Sequence, residues 1–260
     1  MRVFLLLLVA ALLLPGDLLA QPTVQATVNC LGRIEPAGGL VRLSGPTALG
    51  AVILQMKVEE GDWVDEGQAI AVLDSHPVRQ AEYDALRVEL ELAEAELRRE
   101  QELVRRKASA ASRTETVELN VKAAAARLAA AEATLNLSIV RAPRRAQVIA
   151  IHAHPGERIG VDGIVEIGQT DTMYAVAEVY ETDIGRVKPG QSAIITSPAL
   201  PRPVTGTVES IGLKVGRIDV LGLDPIAQAD ARVVEVDIRL KETGLVKNLT
   251  NLQVEVEIRP

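Results

Sequence analysis

A chain of 260 residues, 48% hydrophobic and carrying a formal net charge of −7, has room for two or more small domains but no basic stripe with which to displace the counterions of a nucleic acid. Aromatic residues make up 2% of the chain, too few for a platform on which bases or sugars stack, so the core must be built from Val, Ile, Leu and Ala. A lone cysteine, Cys30, excludes an internal disulfide and reads as a small buried hydrophobe.

The chain opens with Arg2 and an apolar run from Val3 to Leu14, broken at Pro15-Gly16-Asp17 and ended by Leu18-Leu-Ala20. That run is shorter than the roughly 20 residues needed to span a hydrocarbon core, and its flanks match a secretory signal peptide over residues 1–20. Leu18 is large for its place before a cleavage site, so a short uncleaved anchor stays open. Both readings predict an exported protein. Residues 24–36 then alternate like a strand and stop at Pro36-Ala-Gly-Gly39.

Next comes a phrase that the chain uses twice. Val58-Glu-Glu-Gly61-Asp62-Trp63 runs through Gly67 to Leu73-Asp74, and Ile151-His-Ala-His-Pro-Gly156-Glu157 runs through Gly163 to Ile167-Gly168. Each copy reads as a strand, a Gly-Asp or Gly-Glu turn, a bridge, a second Gly turn and another strand. A two-stranded ribbon alone buries too little apolar surface to be stable, so the two half-motifs are expected to sandwich each other.

Between the copies the period changes. Ser75 is a plausible N-cap, Pro77 suits the first helical turn, and Tyr83, Leu86, Leu90, Ala93, Leu97 and Val104 form a heptad seam that Glu100 interrupts. Ala108–Ala111 reads as a linker and Ser112-Arg-Thr-Glu115 as a capping box for a second helix, whose seam is Val117, Val121, Ala124, Leu128, Ala131 and Leu135. Two such helices joined by a few residues pack antiparallel, and at about 1.5 Å per residue the first reaches about 45 Å. Charged residues outside the seam argue against a hairpin buried in a globular core. Beside the first seam lies a stripe of smaller apolar residues, Ala81, Ala85, Val88, Leu92 and Ala95, wide enough to let neighbouring hairpins pack laterally. The plainer reading is Ala chosen for helix propensity.

After Ala142-Pro143 and the second half-motif, strands are expected at Met173–Tyr180, Gln191–Thr196, Val204–Leu213, Val233–Leu240 and Leu252–Ile258, with turns at Lys188-Pro-Gly190 and Pro198–Pro203 and a loop over Gly212–Ala231. Short strands at this spacing suit a small β-barrel.

The order of half-motif, coiled hairpin, half-motif and barrel resembles the membrane fusion (periplasmic adaptor) proteins of the haemolysin-D type. Five tail phrases, around Ala177–Ile184, Lys188–Gln191, Val215–Val220, Asp230–Val236 and Leu249–Val254, are similar to the cyanobacterial adaptors of ABC exporters, the heterocyst glycolipid exporter among them. The resemblance implies a mixed α and β, elongated, multidomain fold. Residues 40–76 and 138–170 would form a split lipoyl-like domain, 77–137 an α-helical coiled-coil hairpin, and 24–36 with 171–260 a β-barrel domain. It also implies a periplasmic subunit associated with the inner membrane, a homo-oligomer of about six copies, an inner-membrane ABC permease with its ATPase as one partner and an outer-membrane channel as the other, and export of a lipid or other small amphiphile. An adaptor of a proton-driven pump is the alternative. Hairpin tips of the family contact the channel through Arg, Leu and Ser at fixed spacing; the nearest set is Arg99, Leu103 and Ser112, with a Leu-to-Ser gap about two residues too long. The family's Gly after Ala-Pro is replaced by Arg144-Arg145, which either loosens that turn or lines the inside of a tube.

Sharper chemistry finds little support. Lys57 follows Met56 as a biotinyl or lipoyl lysine would, but it precedes the Gly-Asp strand pair, inside a strand, instead of occupying the exposed turn after it. His152 and His154, two apart, would share a strand face with His76 nearby, yet no Cys or carboxylate cluster completes a metal site. No paired catalytic groups stand out. A transport adaptor, with no cofactor and no turnover of its own, is the expectation; a carrier domain and a general exported coiled-coil protein are the other classes.

Overall fold

A computed structural model describes residues 27–45, 51–108, 110–217 and 232–259. The leader (1–20), the start of the expected 24–36 strand and most of the expected 212–231 loop lie outside the described residues. The fold is mixed, mostly β with two helices.

Strand β1 (Val28–Leu43) is followed by β2 (Ile53–Met56), β3 (Trp63–Val64) and β4 (Ala69–Leu73). Helices α1 (His76–Arg105) and α2 (Ala111–Asn136) come next, then β5 (Ile139–Arg141), β6 (Ala146–Ile151) and β7 (Val165–Tyr180). The tail supplies β8 (Ser192–Thr196), β9 (Val204–Arg217), β10 (Arg232–Leu240) and β11 (Gln253–Arg259).

The tail strands close on themselves. Pairing runs β1-β11-β8-β9-β10-β7, and β7 returns to pair with β1, leaving the six-stranded cylinder without an open edge. Its interior is filled by alternate residues such as Ile34, Met173, Ile195, Val236, Ile238 and Ile258. A second core lies where the half-motifs meet: Ile53, Ile70 and Leu73 from the first pack with Val140, Val148, Ile164 and Ile167 from the second.

Strand β1 overruns its expected end. Pro36 has no N–H to give a ladder, and the pairing with β7 slips at Pro36/Ala37 and again at Ala37/Val41, yet the strand resumes to Leu43. The excess residues include Gly38 and Gly39, both at positive φ, which lets the chain bulge and continue. Both cores therefore share the same two long strands. Strand β9 also runs further than expected, to Arg217, because Val215, Gly216 and Arg217 still pair with β10.

Candidate functional site

The hairpin is the part of the molecule least enclosed by a core, and its mount is built by exchange between the half-motifs. Gly61 N–H donates to the Val148 carbonyl at 2.8 Å and Val148 N–H returns a bond to Asp62 at 2.8 Å. In the other half, Gly156 N–H donates to Ile53 at 2.8 Å and Ile53 N–H to Glu157 at 3.0 Å. The turns themselves match: the Asp62 carboxylate accepts from Glu59 N–H and the Glu157 carboxylate from His154 N–H, each at 2.8 Å. Gly61 and Gly156 have φ of +93° and +88°, a left-handed turn that favours glycine. Each half thus supplies the hydrogen-bond partners that the other lacks.

The two helices leave this mount side by side. Leu73 N–H donates to Ser138 at 2.9 Å, the Ser138 hydroxyl donates to the Leu135 carbonyl, and its oxygen lies 2.8 Å from His76 Nδ1, tying the first residue of α1 to the end of α2. Ser75 occupies the N-cap but makes no side-chain cap bond. Along the hairpin, Val117, Ala124 and Ala131 are buried and Val121, Leu128 and Leu135 half-buried, facing half-buried Tyr83, Leu86, Leu90, Ala93 and Leu97. Val104 departs from the expected seam and is exposed.

Glu100 is the correction that matters most. It does not interrupt the seam; it is part of it, 4% exposed, with its carboxylate 3.2 Å from Arg113 Nε on α2. Charge inside a heptad seam is tolerated when a partner crosses the interface, and the signal was the Arg three places after the α1–α2 turn. Glu89–Arg127 at 2.6 Å and Glu96–Arg113 at 3.9 Å bridge the helices along one side.

At the tip, α1 ends as the N–H groups of Lys107 and Ala108 fold back to Val104 and Leu103, each at 2.8 Å, with Lys107 at φ +57°. Arg99 and Leu103 stand one turn apart and exposed on α1, Arg99 Nε donating back to the Ala95 carbonyl at 3.3 Å. Ser112 is not a cap. Helix α2 starts at Ala111 after Ala110, so Ser112 lies inside the first turn and its carbonyl accepts from the Thr116 hydroxyl. No contact joins it to Arg99 or Leu103 among the described hydrogen bonds, so the three share the tip region without forming one cluster.

The arginines after Ala142-Pro143 part company. Arg145 stacks over Trp63 at 4.5 Å and pairs with Asp171 at 2.5 Å, whereas Arg144 turns towards Gly38 in the β1 bulge, its Nε and Nη2 buried without a hydrogen-bond partner among the described residues. His152 and His154 lie beyond the end of β6 in a turn, not on a shared strand face. His152 sits 3.7 Å from Glu166, His154 3.5 Å from Glu157, and His76 is occupied by Ser138. Among the described residues no three His, Cys, Asp or Glu side chains converge as metal ligands. Lys57 sits one residue past β2, its N–H bonded to Ile70, while the turn after β4 runs straight into α1. No helix among the described residues is long and apolar enough to cross a membrane.

No family model matches the chain. In sequence it is 29% identical over 214 residues to the pyoverdine export membrane fusion protein PvdR of Pseudomonas aeruginosa, a match covering 68% of this chain and 53% of that protein. The protein of the same name in Pseudomonas putida is 28% identical over 208 residues, covering 68% and 52%. The chain therefore spans about half the length of the curated relatives it matches. Among solved structures it is similar to a MacA–MexA chimera carrying the Pseudomonas aeruginosa MexA α-hairpin domain, with a TM-score of 0.71 at 18% identity over 90% of this chain and 78% of that one. A membrane fusion protein of Streptococcus pneumoniae gives 0.66 at 19% identity over 89% and 98%. MacA of Actinobacillus actinomycetemcomitans gives 0.60 at 19% over 90% and 78%. The fold is that of these solved membrane fusion proteins, and in sequence the chain is similar to PvdR over about two thirds of its length.

Proposed function

We propose that this protein is the periplasmic adaptor of an ABC-type tripartite exporter, with no turnover of its own, linking an inner-membrane ATP-driven permease to an outer-membrane channel. The observation that supports this reading best is the mounting of the hairpin: a two-helix arm of about 45 Å, its outer surface outside any core, carried on a β base that the two half-motifs complete for each other. A catalyst needs a converging pocket; this arrangement instead offers a rigid reach. In this reading the base is the split lipoyl-like domain, the cylinder is the barrel domain nearest the inner membrane, and Arg99, Leu103 and Ser112 lie at the end that meets the channel. The ABC class and a lipid or other small amphiphile as cargo rest on the tail phrases, and the name of PvdR, a pyoverdine export protein, supports an export role. A carrier domain is disfavoured, because the position where a modified lysine would stand leads into α1.

Affinity capture of the tagged full chain from envelope membranes tests the reading. A polytopic permease with its ATPase should copurify, and the purified protein should raise the ATPase rate or export of that permease in proteoliposomes. If captured permease shows no change in either, the adaptor reading fails. Capture of a proton-driven transporter instead would keep the adaptor role and remove the ABC assignment.

A further inference from the structure

Ser138 joins the two helices at the root of the hairpin and is 1% exposed, beyond the reach of solvent. Its N–H and its hydroxyl both donate to the Leu135 carbonyl, at 2.9 and 2.5 Å, while its own carbonyl accepts from Leu73 N–H at 2.9 Å. A serine hydroxyl has a single hydrogen. Because a carbonyl oxygen only accepts, that hydrogen is committed to Leu135. The Ser138 oxygen therefore has nothing but lone pairs to turn towards His76 Nδ1, 2.8 Å away. A second lone pair there would repel it, and a buried acceptor left without a donor is costly. The hydrogen of this contact has to come from the ring.

We propose that His76 is a permanent donor, carrying a hydrogen on Nδ1 in both its neutral and its charged state, and that through Ser138 it sets the angle at which the hairpin leaves its β base. The positioning role rests on the adaptor reading above; the proton assignment does not.

The chain path gives the contact that role. Only Asp74 and Ser75 separate β4 from α1, and only Leu137 and Ser138 separate α2 from β5. The backbone bonds from Leu73 to Ser138 and from Asp74 to Val52, each 2.9 Å, hold the strand ends and leave the helix itself free to tilt. His76 is the first residue of α1, and its ring carries the tie across to the end of α2. Ser75 makes no cap bond, no acidic side chain lies in the first turn, and among the described residues no other side-chain hydrogen bond forms in that turn. A free neutral imidazole can put its hydrogen on either nitrogen, whereas a fixed partner selects one of them. Since the Nδ1 hydrogen is also present on the charged ring, the tie holds on both sides of the titration. The neutral ring keeps Nε2 bare.

The full chain with isotopically labelled histidine tests the assignment, read by long-range proton–nitrogen correlation at a pH where its three histidines are neutral. The signal lost in His76→Asn identifies the ring. It should show the hydrogen on Nδ1; a hydrogen on Nε2 overturns the proposal. Substitutions test the role. Asn places its amide nitrogen where Nδ1 stands, Asp has the same shape without a hydrogen to give, and Gln carries its nitrogen past the position. Nitroxides on Gln101→Cys near the tip and Val161→Cys on the base, both exposed positions, report the angle in a Cys30→Ala chain diluted with unlabelled protein. His76→Asn should keep the native distance distribution. His76→Asp should raise the population outside the native peak about tenfold, although an acidic residue in the first turn favours the helix itself. Export should fall in the same order. Equal distributions for the Asn and Asp chains overturn the positioning role. If His76→Asp does not fold, His76→Gln gives the same contrast with His76→Asn, and the tautomer is read on the unsubstituted chain. Neither spectroscopic measurement needs a permease, so this proposal and the transport reading fail separately.

Discussion

Three residues show how local chemistry follows from position. Cys30 is buried against the Val256 carbonyl, and desolvation, with Glu178 and Asp183 adding to it, pushes its thiol up to about 12. Between the ordinary thiol range near 9 and that value the unfolded chain gives up a proton that the folded chain keeps. Stability is therefore unaffected below the ordinary value and falls as pH rises through that window, by about 1.4 kcal/mol per unit. Denaturant midpoints from pH 8 upward should show this slope in the native chain and lose it in Cys30→Val; equal slopes would refute the burial argument. Gly32 stands where β1 crosses close to β7: a Cβ there would lie 2.6 Å from the Val176 carbonyl oxygen, a backbone atom that cannot swing aside. Gly32→Ala should cost about 1–3 kcal/mol in chemical denaturation. Glu100, buried in the seam, is held by an Arg113 that is mostly exposed, so Arg113→Ala should lower stability by only about 1 kcal/mol, while Glu100→Leu, which continues the apolar seam, should leave or raise the thermal midpoint.

At the scale of elements the hairpin and its mount are separable by design of the contacts. The second core takes residues from both half-motifs, and the principal ties to the helices run through Leu73, His76 and Ser138. Replacing residues 78–137 by a short Gly-Ser linker shortens the loop between the halves and lowers its closure entropy slightly. That variant should be exported and should unfold cooperatively, with transport lost; absence of a cooperative transition would place the hairpin in the core. Glu at both Ala85 and Leu92 should leave the monomer folded and weaken association by sedimentation, because both side chains are exposed in the single chain. The second helix's seam was readable residue for residue, since Ala and Val recur there without interruption, and all five tail strands were readable from alternation. What alternation could not show was continuity. Pro36 and two glycines look like a stop in sequence, and only the β7 partner, some 130 residues on, carries β1 past them. Ser112 failed for the opposite reason: a capping box is a local signal, and here the cap falls two residues earlier, at Ala110, which takes Ser112 into the first turn. The proposed tip set, Arg99, Leu103 and Ser112, rests on a family pattern alone, because an exposed tip imposes no packing constraint of its own.

For the whole molecule the long β1–β7 pair decides how the parts behave together. Its register runs from Leu31 opposite Glu178 to Leu43 opposite Val165, so the same two strands are walls of the cylinder at one end and of the half-motif core at the other. The two cores should consequently melt as one unit: calorimetry of the hairpin-less variant should give a single transition whose calorimetric and van't Hoff enthalpies agree. Two resolved peaks would mean that the bulge at Gly38 and Gly39 uncouples them.

The same strand pair works as an axle. A twist applied to the cylinder cannot be taken up by a slack linker, since the backbone between the two cores is laddered on both sides of the bulge, and only the few residues around Gly38, with the Arg144 guanidinium lodged against them, are free of that ladder. Rotation of the cylinder by a partner beneath it would thus be delivered to the root of the hairpin, at His76 and Ser138, and magnified along the arm into a sideways sweep of the tip.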